Sequence, residues 1–155
     1  MIGELSRTAW LDEGVFAQPK ATSSNYLYDQ ESGNDDDGTA MTNVFIESSD
    51  FDLGEGEEFQ FISRIIPDVT FNGTGDTGAA GQKVDLVLKR RNFPGEVLTT
   101  AVTGSCTSVT TKIDTRVRGR QATLRVQSND TDTTVVGVGF RVGATRIETQ
   151  PDGKR

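Results

Sequence analysis

Histidine is absent from these 155 residues, and Cys106 is the single cysteine. Without histidine the chain lacks the side chain most used as general base or metal ligand near neutral pH, which argues against an ordinary hydrolase or zinc enzyme. One cysteine permits no internal disulfide and fits a fold assembled in a reducing cytoplasm. Long apolar runs are missing as well: nothing approaches the roughly 20 residues of a membrane helix. The opening Met1-Ile2-Gly3-Glu4 has neither the basic nor the apolar region of a secretory signal. A soluble chain without a membrane partner is the expectation. No stretch carries helical periodicity either.

Charged residues make up 25% and hydrophobic residues 34% of the chain. That composition is globular but polar, so one domain with a real core is expected, with some of the chain outside it. The net charge of -7 conceals an asymmetry. Through Gln60 the only bases are Arg7 and Lys20, against acids that include Asp35, Asp36, Asp37, Asp50, Asp52, Glu55, Glu57 and Glu58. Beyond Gln60, Arg90, Arg91, Arg116, Arg118, Arg120, Arg125, Arg141 and Arg146 outweigh the scattered carboxylates. Two such halves attract one another, within a subunit or between neighbours.

Up to about Gly38 only short apolar islands interrupt a polar sequence. Residues 1–40 therefore read as an extended arm or linker whose aromatics, Trp10, Phe16, Tyr26 and Tyr28, dock on the body or on another chain. Residues 41–155 read as a β-sandwich domain. Asn43 to Glu47 is β-branched and aromatic, and Phe59 to Ile66 is an apolar run closed by Pro67. A glycine-rich connection follows at residues 72–81. Alternation is clear at Val84, Leu86 and Leu88, at Ala122, Leu124 and Val126, and at Val136, Val138, Phe140 and Val142. Ser128 to Asp132 is a turn before the third of these, Gly143 a break after it, and Thr145 to Thr149 a closing strand. Strands at regular intervals without helices predict an all-β, antiparallel sandwich, jelly-roll or immunoglobulin-like.

The motifs that spell chemistry fit poorly. With Gly38 as the required glycine of a calcium loop, Asp35 and Asp37 reach ligand positions, but Gly33 takes the first and Val44 the bidentate twelfth. A solvated loop is expected there. Gly73-x-Gly75-x-x-Gly78 spells a dinucleotide fingerprint, yet no helix follows to receive a pyrophosphate. The sequons at Asn72 and Asn129 matter only in a secreted eukaryotic protein. A carboxylate pair such as Asp50 with Glu57 needs a set separation across a cleft, which a sequence does not reveal. No catalytic, cofactor or metal site is expected. The most distinctive feature is Arg116-Val117-Arg118-Gly119-Arg120: in an extended segment three arginines at alternate positions line one face. An acidic pI and the lack of interleaved aromatics argue against nucleic acid. Pairing with carboxylates is expected, the Asp50 to Glu58 segment of the same or an adjacent subunit being the natural mate.

Six strings, "RTAWLDEGVF", "YLYDQESG", "FIESSDFDLGEGEEFQFISRIIPD", "VDLVLKRRNFPGE", "KIDTRVRGRQATLRVQS" and "GFRVGATRIETQPDGKR", carry a resemblance over nearly the whole chain. They resemble the carboxyl-terminal part of tail-associated or stabilisation-type virion structural proteins of tailed bacteriophages. The resemblance implies a non-enzymatic building block at the tail or head–tail region, with a β-sandwich packed beside other virion proteins, further copies of itself among its partners, and assembly in the bacterial cytoplasm. That family is usually much longer, with a propeller-like preceding part. Here Met1 stands just before the matching block, as in a split gene, a partial reading frame or a trimmed piece, and the arm's aromatics are then free to pack on a neighbouring copy. Trp10, Tyr26, Tyr28, Arg116, Arg118 and Arg120 are the expected contact residues. The competing expectation is a carbohydrate-binding or host-adsorption module in which the three aromatics stack on sugar rings.

Overall fold

The structure is a computed structural model that describes residues 9–12, 14, 16–23, 25–30, 35–36, 39–40, 44–72, 82–129 and 139–153. Among them there is no helix, and every strand pairing is antiparallel. The chain divides into two compact units, Met1–Asn34 and Asp35–Arg155.

In the first unit, the stretch expected to be an extended arm carries short paired strands. Strands β1 (Ala9–Leu11), β2 (Lys20–Ser23) and β3 (Tyr26–Asp29) form a three-stranded sheet in that order, and the unit ends at Asn34, short of the expected boundary at residue 40. Strands of three or four residues are too short for alternation to emerge from the sequence. Ser23 pairs with Tyr26, so the β2–β3 turn has two central residues. Asn25, in that turn, has a φ of 72°, which asparagine tolerates better than most residues. Lys20 forms an ion pair with Asp29 across the same hairpin.

The second unit opens with a small hairpin, β4 (Asp35–Asp36) against β5 (Thr39–Ala40), inside the stretch expected to be an irregular loop. Its larger sheet runs β11 (Thr99–Cys106), β10 (Val84–Arg91), β13 (Gln121–Ser128), β6 (Phe45–Glu47), with β7 (Phe51–Asp52) also on β13. A second sheet runs β12 (Ile113–Gly119), β8 (Gln60–Ile66), β15 (Arg146–Pro151), and β9 (Val69–Asn72) pairs with β14 (Gly139–Val142). One core joins them: Val84, Leu86, Leu88, Ala122, Val126 and Cys106 of the larger sheet meet Ile62, Ile65 and Val117 of the second. Val69, Phe71 and Phe140 of the smallest sheet pack against it. This arrangement is consistent with a β-sandwich. Full burial of a Leu or Ile side chain contributes about 1.5–3 kcal/mol, so these few residues dominate cohesion.

The alternation at residues 84–88 and 122–126 therefore marks true strands with their apolar side inward. Thr123 departs from it: only 1% exposed, it is covered where its hydroxyl donates to Asp50 Oδ1 at 2.9 Å. The expected glycine-rich connection from residue 73 onward, the turn beyond Asn129, and Val136 with Val138 lie outside the described residues. Gly143 does mark a break. Its backbone N–H donates to the Asp68 carbonyl and that of Ala144 to the Asp68 carboxylate, tying the chain between β14 and β15 to the connection between β8 and β9.

Candidate binding surfaces

On the first unit, Trp10, Ala21 and Tyr28 are directly opposite one another across β1, β2 and β3. Opposed residues in an antiparallel sheet project to one side, and Tyr26, two positions from Tyr28, shares it. The two tyrosine rings are 6.3 Å apart and tilted by 54°. Trp10 is 55% and Tyr26 68% exposed, whereas Ala21 between Trp10 and Tyr28 is buried. The sequence thus singled out three aromatics that the fold does collect on one open face.

The arginine series is divided. Arg116 and Arg118 are exposed on β12 while Thr115, Val117 and Gly119 are buried, the alternation an extended segment requires. Arg120 does not join them, because β12 ends at Gly119 and Arg120 occupies the connection to β13. Its backbone N–H donates to the Arg91 carbonyl, and its guanidinium lies 4.7 Å from the Phe59 ring centroid and 5.2 Å from that of Phe93. Arg118 stacks on Phe59 as well, at 3.9 Å, and pairs with the Asp152 carboxylate. Two guanidinium groups over one ring help explain why Phe59 is only 5% exposed. Arg116 makes no side-chain hydrogen bond or ion pair among the described residues.

Part of the acidic segment pairs with bases outside the arginine series of β12. Asp50 pairs with Arg91 at 2.7 Å, and Glu47 with Lys89 at 2.7 Å and Arg125 at 3.7 Å. Gln121 donates to Asp52 at 2.6 Å. Acids from before Gln60 therefore meet bases from after it within the second unit, across β6, β13 and β10, while Arg118 takes its carboxylate from the C-terminal end. Asp50 is thereby engaged by both Arg91 and Thr123. Beside Arg116, hydrogen bonds from Arg64 and from Lys112 hold the Asp114 carboxyl below the usual carboxylate range. Burial pushes the Cys106 thiol up.

Two depressions in the second unit were not foreseen. One, of about 500 Å³, lies between the start of β11, the end of β10 and the end of β12, where Arg90, Asn92, Thr99, Thr100, Arg116 and Arg118 converge. The basic run Lys89-Arg90-Arg91 was a visible signal for it, but nothing in the sequence joined that run to the two threonines. The other, of about 380 Å³, is apolar and lies between β6 and β14, with Ile46, Leu124, Val126 and Val142 on its walls. Ile46 pairs opposite Val126 yet remains 59% exposed, so the inward side of the sheet edge is uncovered there. Among the described residues no cluster of three potential metal ligands occurs, and no helix is long and apolar enough to cross a membrane. Compared with known proteins, the chain matches no protein-family model and no curated protein.

Proposed function

We propose that this chain is a non-enzymatic structural module of a bacteriophage particle, in the tail or head–tail region, that works through contacts with other virion proteins and with further copies of itself. On this reading the second unit is an antiparallel β-sandwich of jelly-roll or immunoglobulin-like kind. The observation that carries it is the apolar cleft beside β6, where Ile46 and Val142 stand open to solvent at the margin of the core. Uncovered apolar surface continuous with a core is stabilised when a partner covers it. Phe93 and Val97 add exposed apolar side chains on the same unit. The resemblance of the six strings supports the choice of particle.

Sedimentation velocity over a range of concentrations tests the contact. The parent chain is expected to self-associate, and Ile46→Lys, at a position already exposed, to remain monomeric with an unchanged circular dichroism spectrum. A parent that stays monomeric at every concentration counts against self-contact. Neighbouring reading frames that encode tail and portal proteins support the particle; metabolic genes there overturn it.

A second reading rests on a different observation, the common face of Trp10, Tyr26 and Tyr28, which suits stacking on sugar rings in a host-adsorption module. A glycan array with the full chain separates the two. Specific binding that disappears in Trp10→Ala favours adsorption, and a blank array favours assembly.

A further inference from the structure

We infer that the depression between β10, β11 and β12 is a binding site for an acidic saccharide, with Arg116 as the anchor for its carboxylate or sulfate. Three guanidinium groups, from Arg90, Arg116 and Arg118, converge there, and no carboxylate is among its lining residues. Two of the three are held in place. Arg90 donates to Asn92 Oδ1 at 2.7 Å, and Arg118 is fixed by Asp152 and by the Phe59 ring. Among the described residues Arg116 has no hydrogen-bond or ion-pair partner, so its planar pair of N–H donors is available to an oxyanion.

The remaining walls decide the class of ligand. Thr99, Thr100 and Asn92 also line the depression, and the hydroxyl and amide groups that these residue types carry exceed what one oxyanion requires, which suits a ring bearing several hydroxyl groups. Ala101 and Val117 are the only apolar residues lining it, too little to hold apolar side chains of a peptide. A volume near 500 Å³ is within the size range of small-ligand sites and well above that of an isolated inorganic ion. A long polyanion such as nucleic acid is opposed by the overall charge of -7. A single charged sugar senses mainly the arginines within a screening length of about 8–10 Å. The residues that line the site all belong to the second unit, whereas the aromatic face is built by the first.

Isothermal titration calorimetry of the full chain with two pairs of disaccharides tests the assignment: digalacturonate with its methyl ester, and a sulfated disaccharide with its desulfated form. Saturable binding of one or both charged sugars is expected, and which of them binds identifies the oxyanion. The uncharged counterparts, and the charged sugar with Arg116→Gln, should bind about tenfold more weakly or worse. Arg146→Gln, an exposed arginine on β15 outside the depression, should bind like the parent. The assignment is overturned if neither charged sugar binds, if charged and uncharged forms bind alike, or if Arg116→Gln has no effect. A hexaglutamate peptide that binds more tightly than both sugars, and is weakened by the same substitution, also overturns it in favour of an acidic-peptide site.

Discussion

Thr115 and Arg116 of β12 together face the single residue Ser63 of β8, and the buried Thr115 hydroxyl donates to the Ile62 carbonyl at 2.8 Å. Thr115→Val keeps the shape but leaves that carbonyl without its side-chain donor. A loss of about 1 kcal/mol is expected in urea denaturation, and an unchanged midpoint would show the bond to be dispensable. Next to it, Asp114 has its pKa lowered by Arg64 and Lys112, so its contribution to stability is present above the ordinary carboxylate value and fades as pH falls through the lowered one. The melting temperature of the parent should therefore exceed that of Asp114→Asn slightly at neutral pH, with the gap closing below about pH 4. A gap that widens in acid contradicts this. Cys106, 1% exposed and with its thiol pKa raised by burial, should resist alkylation by iodoacetamide in the native protein and react readily in denaturant, as mass spectrometry can read.

Between the two main sheets, β11 and β12 come into contact at Gly104 and Ile113. A methyl group built on Gly104 would lie 2.6 Å from Ile113 Cγ2, so only glycine lets these edges come together with Ile113 in its present place. Gly104→Ala is expected to cost about 1–3 kcal/mol by denaturant titration, and the double variant with Ile113→Ala to recover part of that loss relative to Ile113→Ala alone. Such approaches also explain what the sequence could and could not convey. β10 and β13 were legible because each lies between two strands and turns Val84, Leu86, Leu88, Ala122 and Val126 toward the core. β11 offers only Val102 and Cys106 to that core among threonines, a serine and Gly104, so neither alternation nor composition announced it. The arginines were legible in part for the same reason. Arg116 and Arg118 obey the period of their strand, whereas Arg120 is governed by a chain reversal whose position depends on Gly119 approaching the Arg90 Cβ and the Arg91 carbonyl.

At the scale of the whole chain, the core cluster draws none of the described residues of Met1–Asn34. Residues 35–155 expressed alone are expected to keep a strand-rich circular dichroism spectrum and a cooperative thermal transition; loss of both would show that the first unit is required for folding. The acidic first part and basic second part do meet, through Glu47 and Asp50, as their opposite signs suggested, but the particular pairings depend on strand register, which charge alone does not encode. The depression bounded by Arg90, Arg116 and Arg118 has a property that follows from guanidinium chemistry. Its charge comes from side chains of one kind, and no imidazole exists anywhere in the chain to add to it on acidification. An anion that settles there is therefore expected to leave on rising ionic strength or before a competitor, and not through a histidine switch.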